Sequence, residues 1–491
     1  MAKRKRNAVL VDSTAQEEAP TKKTKPLKEV PSAAPTTIQI IAGSYDRVLH
    51  GLTATISPDG QVEFADTFLF NAHSSAIRCL AVSPPSAPEP GKIQKVMLAS
   101  GSSDERINVY HISAHRPRRK AKDLLSSIAP RKIVENPKNR ELGTLLHHSS
   151  TITSLSFPTR SKLISASEDS SIAVTRTRDW SLLSTIKVPK PKPLGRPSGD
   201  TAALDGTPAG VNDFAVHPSM KLMISVSKGE RCMRLWNLMT AKKAGVLNFT
   251  REILQEAGES KHSPGEGRNV VWGATEDGDE FCVGFDRDLI VFGMDSTPKC
   301  RVMPEPRKKI HAFRYVAMDL VSESSDSSLL AVSTEDGRVL FFSTKTEDIS
   351  ADERTTNNKS EKLPVAKLIA QVGGREAGVT GRIKDFAICR IAGLKEDNLL
   401  IPTGNSDGKI RLFTISVKEL ADARSTKSPK QIGKLLGTYE TQNRITCLSA
   451  FVMIPRGEGA QDSDDEDETD FTEESDEDDE DSEGGDSDAD N

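Results

Sequence analysis

Leu98-Ala-Ser-Gly-Ser-Ser-Asp-Glu-Arg-Ile-Asn-Val-Tyr110 decides how this chain is read. It predicts a short strand, a tight turn at Asp104, and a second strand bearing Ile107, Val109 and Tyr110. The pattern recurs. With the turn acid as origin, an apolar residue follows three positions on and another apolar or aromatic residue six positions on. Asp46 leads to Leu49 and Leu52, Asp286 to Leu289 and Phe292, Asp336 to Val339 and Phe342, and Asp407 to Ile410 and Phe413. Glu230 leads to Met233 and Trp236; Asp169 keeps Ile172 but has Thr175 at the second place. Seven copies spaced roughly 50 to 70 residues apart indicate a repeat architecture. The acid has a mechanical role, because a short carboxylate at a tight turn accepts backbone N–H groups about two residues on.

A second signature precedes four of these turns: Ile77-Arg-Cys-Leu80, Ile152-Thr-Ser-Leu155, Val211-Asn-Asp-Phe214 and Ile383-Lys-Asp-Phe386. A fifth copy, Ile445-Thr-Cys-Leu448, has no turn after it, while the first turn at Asp46 has no such strand before it. One repeat is therefore expected to be split between the two ends of the chain. The pattern resembles a WD-repeat β-propeller. Trp236-Asn, Val109-Tyr and Leu412-Phe stand where that family often carries Trp-Asp, and Ala72-His73 where it has Gly-His. The expected fold is all-β: seven blades, the first closed by a C-terminal strand, with inner strands buried on both faces and so near-continuously apolar. Closing the ring in this way leaves no free edge between its ends.

The chain has 491 residues and a net charge of −5, which conceals an asymmetry. From Asp462 to the C terminus there are 19 acids and no Lys or Arg, leaving residues 1–461 with 52 acids, 66 bases and a charge of +14. A basic body with an acidic tail points to a negatively charged partner, nucleic acid first. The six cysteines contain no C-x-x-C pair and read as buried hydrophobes in a reduced interior. No apolar run reaches the roughly eighteen residues of a spanning helix, and the N terminus lacks a secretory core. An intracellular, soluble protein is expected.

Residues 1–36 read as a disordered basic arm. Lys3, Arg4, Lys5 and Arg6, with Lys22, Lys23 and Lys25, suit a one- or two-part nuclear import signal. The propeller is expected over 37–456. It is interrupted by basic insertions at 113–141 and 188–209 and charged insertions at 345–362 and 418–430; Asp123–Ile128 reads as a short helix and Arg251–His262 as a loop. Arg116, Arg118, Arg119 and Lys120 in the first insertion, and Lys190, Lys192 and Arg196 in the Pro-rich second, are the candidate RNA or partner contacts. Residues 457–491 form the acidic tail. There Ser463 and Ser475 each precede an acid by three positions and are candidate phosphorylation sites.

Catalytic chemistry is not visible. Walker, G-x-G-x-x-G, G-x-S-x-G and H-E-x-x-H patterns are absent, and no nucleophile, base and oxyanion donor group together. Catalytic, cofactor-binding and metal residues are each expected to be none. His148 occupies the turn-histidine place of His73, so both read as structural, as do Asp46, Asp104, Asp169, Glu230, Asp286, Asp336 and Asp407. Asp213 and Asp385 are equivalent positions on two blades and not a catalytic pair.

Within the WD-repeat proteins, Ile40-Ile-Ala-Gly-Ser-Tyr-Asp-Arg, His73-Ser-Ser-Ala-Ile-Arg-Cys-Leu and Leu98-Ala-Ser-Gly-Ser-Ser-Asp-Glu resemble the p21-activated-kinase-interacting-protein family. Its fungal members are the "maintenance of killer" nucleolar factors. That resemblance implies a non-enzymatic scaffold in assembly of the large (60S) ribosomal subunit, acting in the nucleus and nucleolus. It would sit as a monomer within pre-60S particles, beside a ribosomal-protein-like placeholder factor and with rRNA as a further candidate partner, and with no membrane or small-molecule substrate. Two alternatives stay open: a negative regulator of a p21-activated kinase, and a substrate receptor of a cullin ubiquitin ligase. Against the latter, Trp236-Asn-Leu-Met does not fit the W-D-x-R such receptors often carry.

Overall fold

Seven antiparallel sheets form the molecule, each built on the strand–turn–strand unit centred on a turn acid. The computed structural model describes residues 35–89, 92–117, 133–134, 136, 138–191, 209–260, 263–275, 278–316, 329–349, 362–391, 397–426 and 428–455. The import residues, Arg118, Arg119, Lys120, Lys192, Arg196, the 123–128 segment, Ser463 and Ser475 lie outside them.

The second sheet shows the plan: Ile77–Val82 innermost, then Lys95–Ser102, Ile107–Ser113, and Arg140–Leu145 outermost. The innermost strands of all seven sheets contact their neighbours in sequence, and the last, Ile383–Phe386, meets Ile445–Val452 to close the ring. The split blade is as expected. Ile445–Val452 pairs with Thr36–Ser44, Ile40 facing Ala450 and Ala42 facing Leu448. Middle strands bury both sides because each sheet is sandwiched between two others. Ile38 and Ile40 pack with Leu400, Ile410 and Leu448 toward the seventh blade, while Ile41 and Leu49 pack with Ile77, Leu98 and Cys447 toward the second. Alternate residues thus serve two different inter-blade cores.

Each blade's four strands alternate direction, so its connections alternate between two faces of the ring. One, the turn face, carries the seven acid turns and the links between blades. The other carries the first-to-second and third-to-fourth strand connections, and both ends of the described chain. Three of the third-to-fourth connections are long, and all three follow one rule. In the second blade, the Val134 N–H donates to the Asp66 carbonyl (2.7 Å) on the outer strand of the first. In the sixth, Val365 bridges in parallel to Arg301 on the fifth, and in the seventh, Lys430–Gln431 pairs in parallel with the outer strand of the sixth. Each insertion reaches back to cover its predecessor's exposed edge.

Three local expectations need correction. Arg251–Glu256 is a helix and not a loop: Thr250 caps it by accepting the Ile253 N–H, and Leu254 and Ala257 seat it on the core. The 418–430 excursion holds a second helix, Val417–Arg424, pinned by fully buried Leu420 and Ala423. The 113–141 insertion is also shorter than expected, since Ser113 ends one strand and Arg140 begins the next.

Candidate interaction surface

The turn acids are built into hydrogen-bond networks. In the second blade, His73 arrives from the link that follows the first blade's outer strand. Its Nδ1 lies 3.1 Å from Asp104 Oδ2 and its Nε2 lies 2.8 Å from Ser100 Oγ. Asp104 also accepts the Ser74 N–H (3.0 Å) and the Arg106 N–H (3.1 Å), the expected turn bond two residues on. The third blade repeats this with His148, Asp169 and Ser165. A carboxylate at one ring nitrogen and a hydroxyl at the other hold each imidazole as the Nδ1–H tautomer. Burial lowers the His73 pKa more than Asp104 raises it, so the ring is neutral. At Asp104 burial acts upward, but the bonds from Ser74, His73 and Arg106 outweigh it and the carboxyl is held below its ordinary value.

Elsewhere arginine replaces histidine. Glu230 pairs with Arg234, Asp336 with Arg338 at 2.8 Å, and Asp407 with Arg411 at 3.0 Å. Asp286 lies 3.2 Å from Arg268 and 3.5 Å from Lys309. Asp46 accepts the Arg444 N–H at 3.0 Å, joining the two ends of the chain at the turn of the split blade. The turn bond two residues on recurs at Asp169 and Asp407.

Asp213 and Asp385 prove equivalent in detail. Each caps the N–H of the next residue and then takes an N–H from the next blade's innermost strand, at Val270 (3.1 Å) and Leu448 (2.9 Å). That equivalence exposes two copies of the inner-strand signature missed in the sequence. If Val270 matches Leu448, then Gly267-Arg-Asn-Val270 is the fifth blade's copy. Ile310-His-Ala-Phe313 is the sixth blade's, and both share the burial pattern of the third, fourth and seventh blades' copies, buried at the first and last positions and half-buried between.

Of the candidate RNA contacts, Arg116 and Lys190 are the two within the described residues, and they are not brought together. Arg116 lies on the face that carries the chain ends, where its Nη2 donates to the Pro35 carbonyl and the neighbouring His115 Nδ1 meets the Ile454 carbonyl at 3.2 Å. Lys190 is exposed on the link from the third to the fourth blade, on the turn face. Arg116 and Lys190 therefore stand on opposite faces of the ring. Trp236 is buried with its indole N–H on Ser225 Oγ (2.8 Å), and Asn237 caps the following turn through the Met239 N–H (2.9 Å), a structural use of the position where W-D-x-R would stand. All six cysteines are free, and no group of three or more His, Cys, Asp or Glu that could hold a metal occurs among the described residues.

A family model described as WD domain, G-beta repeat matches residues 139–174, which cover the outer strand of the second blade and most of the third. Protein MAK11 of Saccharomyces cerevisiae is 26% identical over 84% of this chain and 82% of its own length. The p21-activated protein kinase-interacting protein 1-like proteins of Danio rerio and Gallus gallus are 24% and 23% identical, again over 84% of this chain, with 81% and 80% of their own lengths covered. Along most of its length this chain is similar to MAK11 and to those kinase-interacting proteins. The similarity spans about the length of the propeller, so it bears on the whole ring and not on one blade.

Proposed function

We propose that this protein is a non-enzymatic scaffold in assembly of the large ribosomal subunit, acting on nucleolar precursor particles through protein contacts and rRNA. The observation that carries the reading is similarity to MAK11 along 84% of the chain, which supports the resemblance to the "maintenance of killer" factors. The charge distribution agrees with it: a body of +14 suits an RNA-rich particle. A closed ring offers two wide faces and a rigid frame, the features of an interaction platform.

Depletion tests this directly. Loss of the protein should reduce free large subunits relative to small ones and accumulate large-subunit precursor rRNA. An unchanged subunit ratio after complete depletion would refute it. The second reading, regulation of a p21-activated kinase, is favoured by the names of the vertebrate relatives. It predicts altered kinase activity on depletion with subunit levels intact.

A further inference from the structure

On the turn face, the innermost strands of the sixth, seventh and first blades each begin with basic residues that lie outside the two basic insertions. Lys309 and His311 flank Ile310, Arg382 and Lys384 flank Ile383, and Arg444 precedes Ile445. The flanked aliphatics are buried, which fixes the register, and the strand pairing slips immediately after Ile310 and Ile383. His311 and Lys384 are therefore bulged residues, released from the ladder and re-aimed. Lys384 sits amid Arg382, Arg444 and Lys309; burial first, then these three charges, lowers its pKa. Burial and the same neighbours, Lys384, Lys309 and Arg382, bring His311 down to about 4, so it adds no charge, and its Nε2 has no hydrogen-bond partner among the described residues.

Nearby carboxylates are already engaged. Glu335 pairs with Arg382 at 3.2 Å, and Asp286 is shared between Arg268 and Lys309. Among the described residues, no carboxylate lies within ion-pair distance of the Lys384 ammonium or the Arg444 guanidinium. Arg444 instead lies 5.7 Å over the ring of Tyr45, which is 59% exposed at the turn of the split blade. Gathering like charges on three adjacent strands costs free energy unless an anion completes the set.

We propose that this mouth of the ring is a binding site for single-stranded RNA, with Lys309, Arg382, Lys384 and Arg444 on successive phosphates and Tyr45 stacking on a base. Cations tracking a backbone beside an exposed aromatic are the arrangement single strands require. An acidic peptide would use the cations but has no need of the ring. This inference names a ligand and residues beyond the scaffold reading, and it is tested on the purified protein alone.

The test is fluorescence anisotropy with labelled 20-nucleotide oligouridylate, full-length protein and a salt series. Lys384→Gln with Arg444→Gln should weaken binding about tenfold and reduce the slope of log affinity against log salt by roughly 1.4, for two phosphates released. Tyr45→Ala should weaken it about fivefold with little change in slope. Lys242→Gln with Lys243→Gln removes two charges from the exposed outer strand of the fourth blade and should change affinity less than twofold. If the mouth variant behaves like that control, the proposal is overturned. It is overturned equally if Tyr45→Ala has no effect while polyglutamate displaces the RNA from wild type but not from the mouth variant, because the site then takes an acidic peptide. Sedimentation with precursor particles is read separately, so failure here leaves the assembly reading standing.

Discussion

Asp104→Ala removes the group that ties the first blade's exit to the second blade's turn. Its carboxylate holds the His73 ring at 3.1 Å and accepts the Ser74 and Arg106 N–H groups. The three do not lose equally. Ser74 and Arg106 are exposed enough to rehydrate, whereas the His73 side chain is fully buried and left with an unmatched Nδ1–H. A stranded buried donor costs about 1–3 kcal/mol, and a charge-assisted bond lies toward the upper part of that range. The expected loss is therefore about 2–3 kcal/mol, read by equilibrium urea unfolding or as a fall of several degrees in melting temperature. Asp104→Asn keeps an acceptor but loses the charge and should fall between the two. The sign with pH follows from the lowered Asp104 pKa: its contribution is present above the unfolded value near 4 and is lost as pH falls through the folded one. The gap between wild type and Asp104→Ala should thus shrink on acidification below about pH 4. A variant within 0.5 kcal/mol of wild type at pH 7 would refute the reasoning, and a loss of partner binding alongside it would move Asp104 from scaffold to site.

Ring closure gives a second prediction. A chain ending before Arg444 loses the inner strand of the first blade and should aggregate, while one ending at Arg456 should stay folded; Leu448→Ala, at a fully packed position, should cost about 2–4 kcal/mol. Equal melting of the two truncations would contradict the split blade. Alanine at Lys3, Arg4, Lys5, Arg6, Lys22, Lys23 and Lys25 should move a fluorescent fusion to the cytoplasm, and an unchanged nuclear signal would count against the import signal. Removing 457–491 should tighten binding to generic RNA at low salt, with the difference shrinking as salt rises; equal affinity throughout would leave the tail a solubilising role only.

The blades were legible because their marker is local and periodic. An acid, then apolar residues three and six positions on, falls within one hairpin, so each copy can be read without knowing its neighbours. The inner-strand signature opens on an aliphatic with an apolar residue three positions on, and Ile310-His-Ala-Phe313 fits it, so the sixth blade's copy was legible although it was passed over. In the fifth blade Gly267 stands at the opening place instead, because a Cβ would come within 2.8 Å of Val226, and the copy was invisible. The edge covers were hidden for a different reason. Lys430–Gln431 pairs with Ala370 and Gln371, a two-residue match sixty positions away that no periodicity announces. The helices at Arg251–Glu256 and Val417–Arg424 are too short for a helical period to rise above loop composition. Charge density could not find the mouth of the ring, whose cations come singly from separate strands.

Sedimentation of the tagged full-length protein through a sucrose gradient, with RNA probed in every fraction, tests the central claim most directly. The account predicts that the protein travels with large-subunit precursors and that ribonuclease shifts it toward lighter fractions. Migration only as a small free complex, with no precursor rRNA in its fractions, would contradict it.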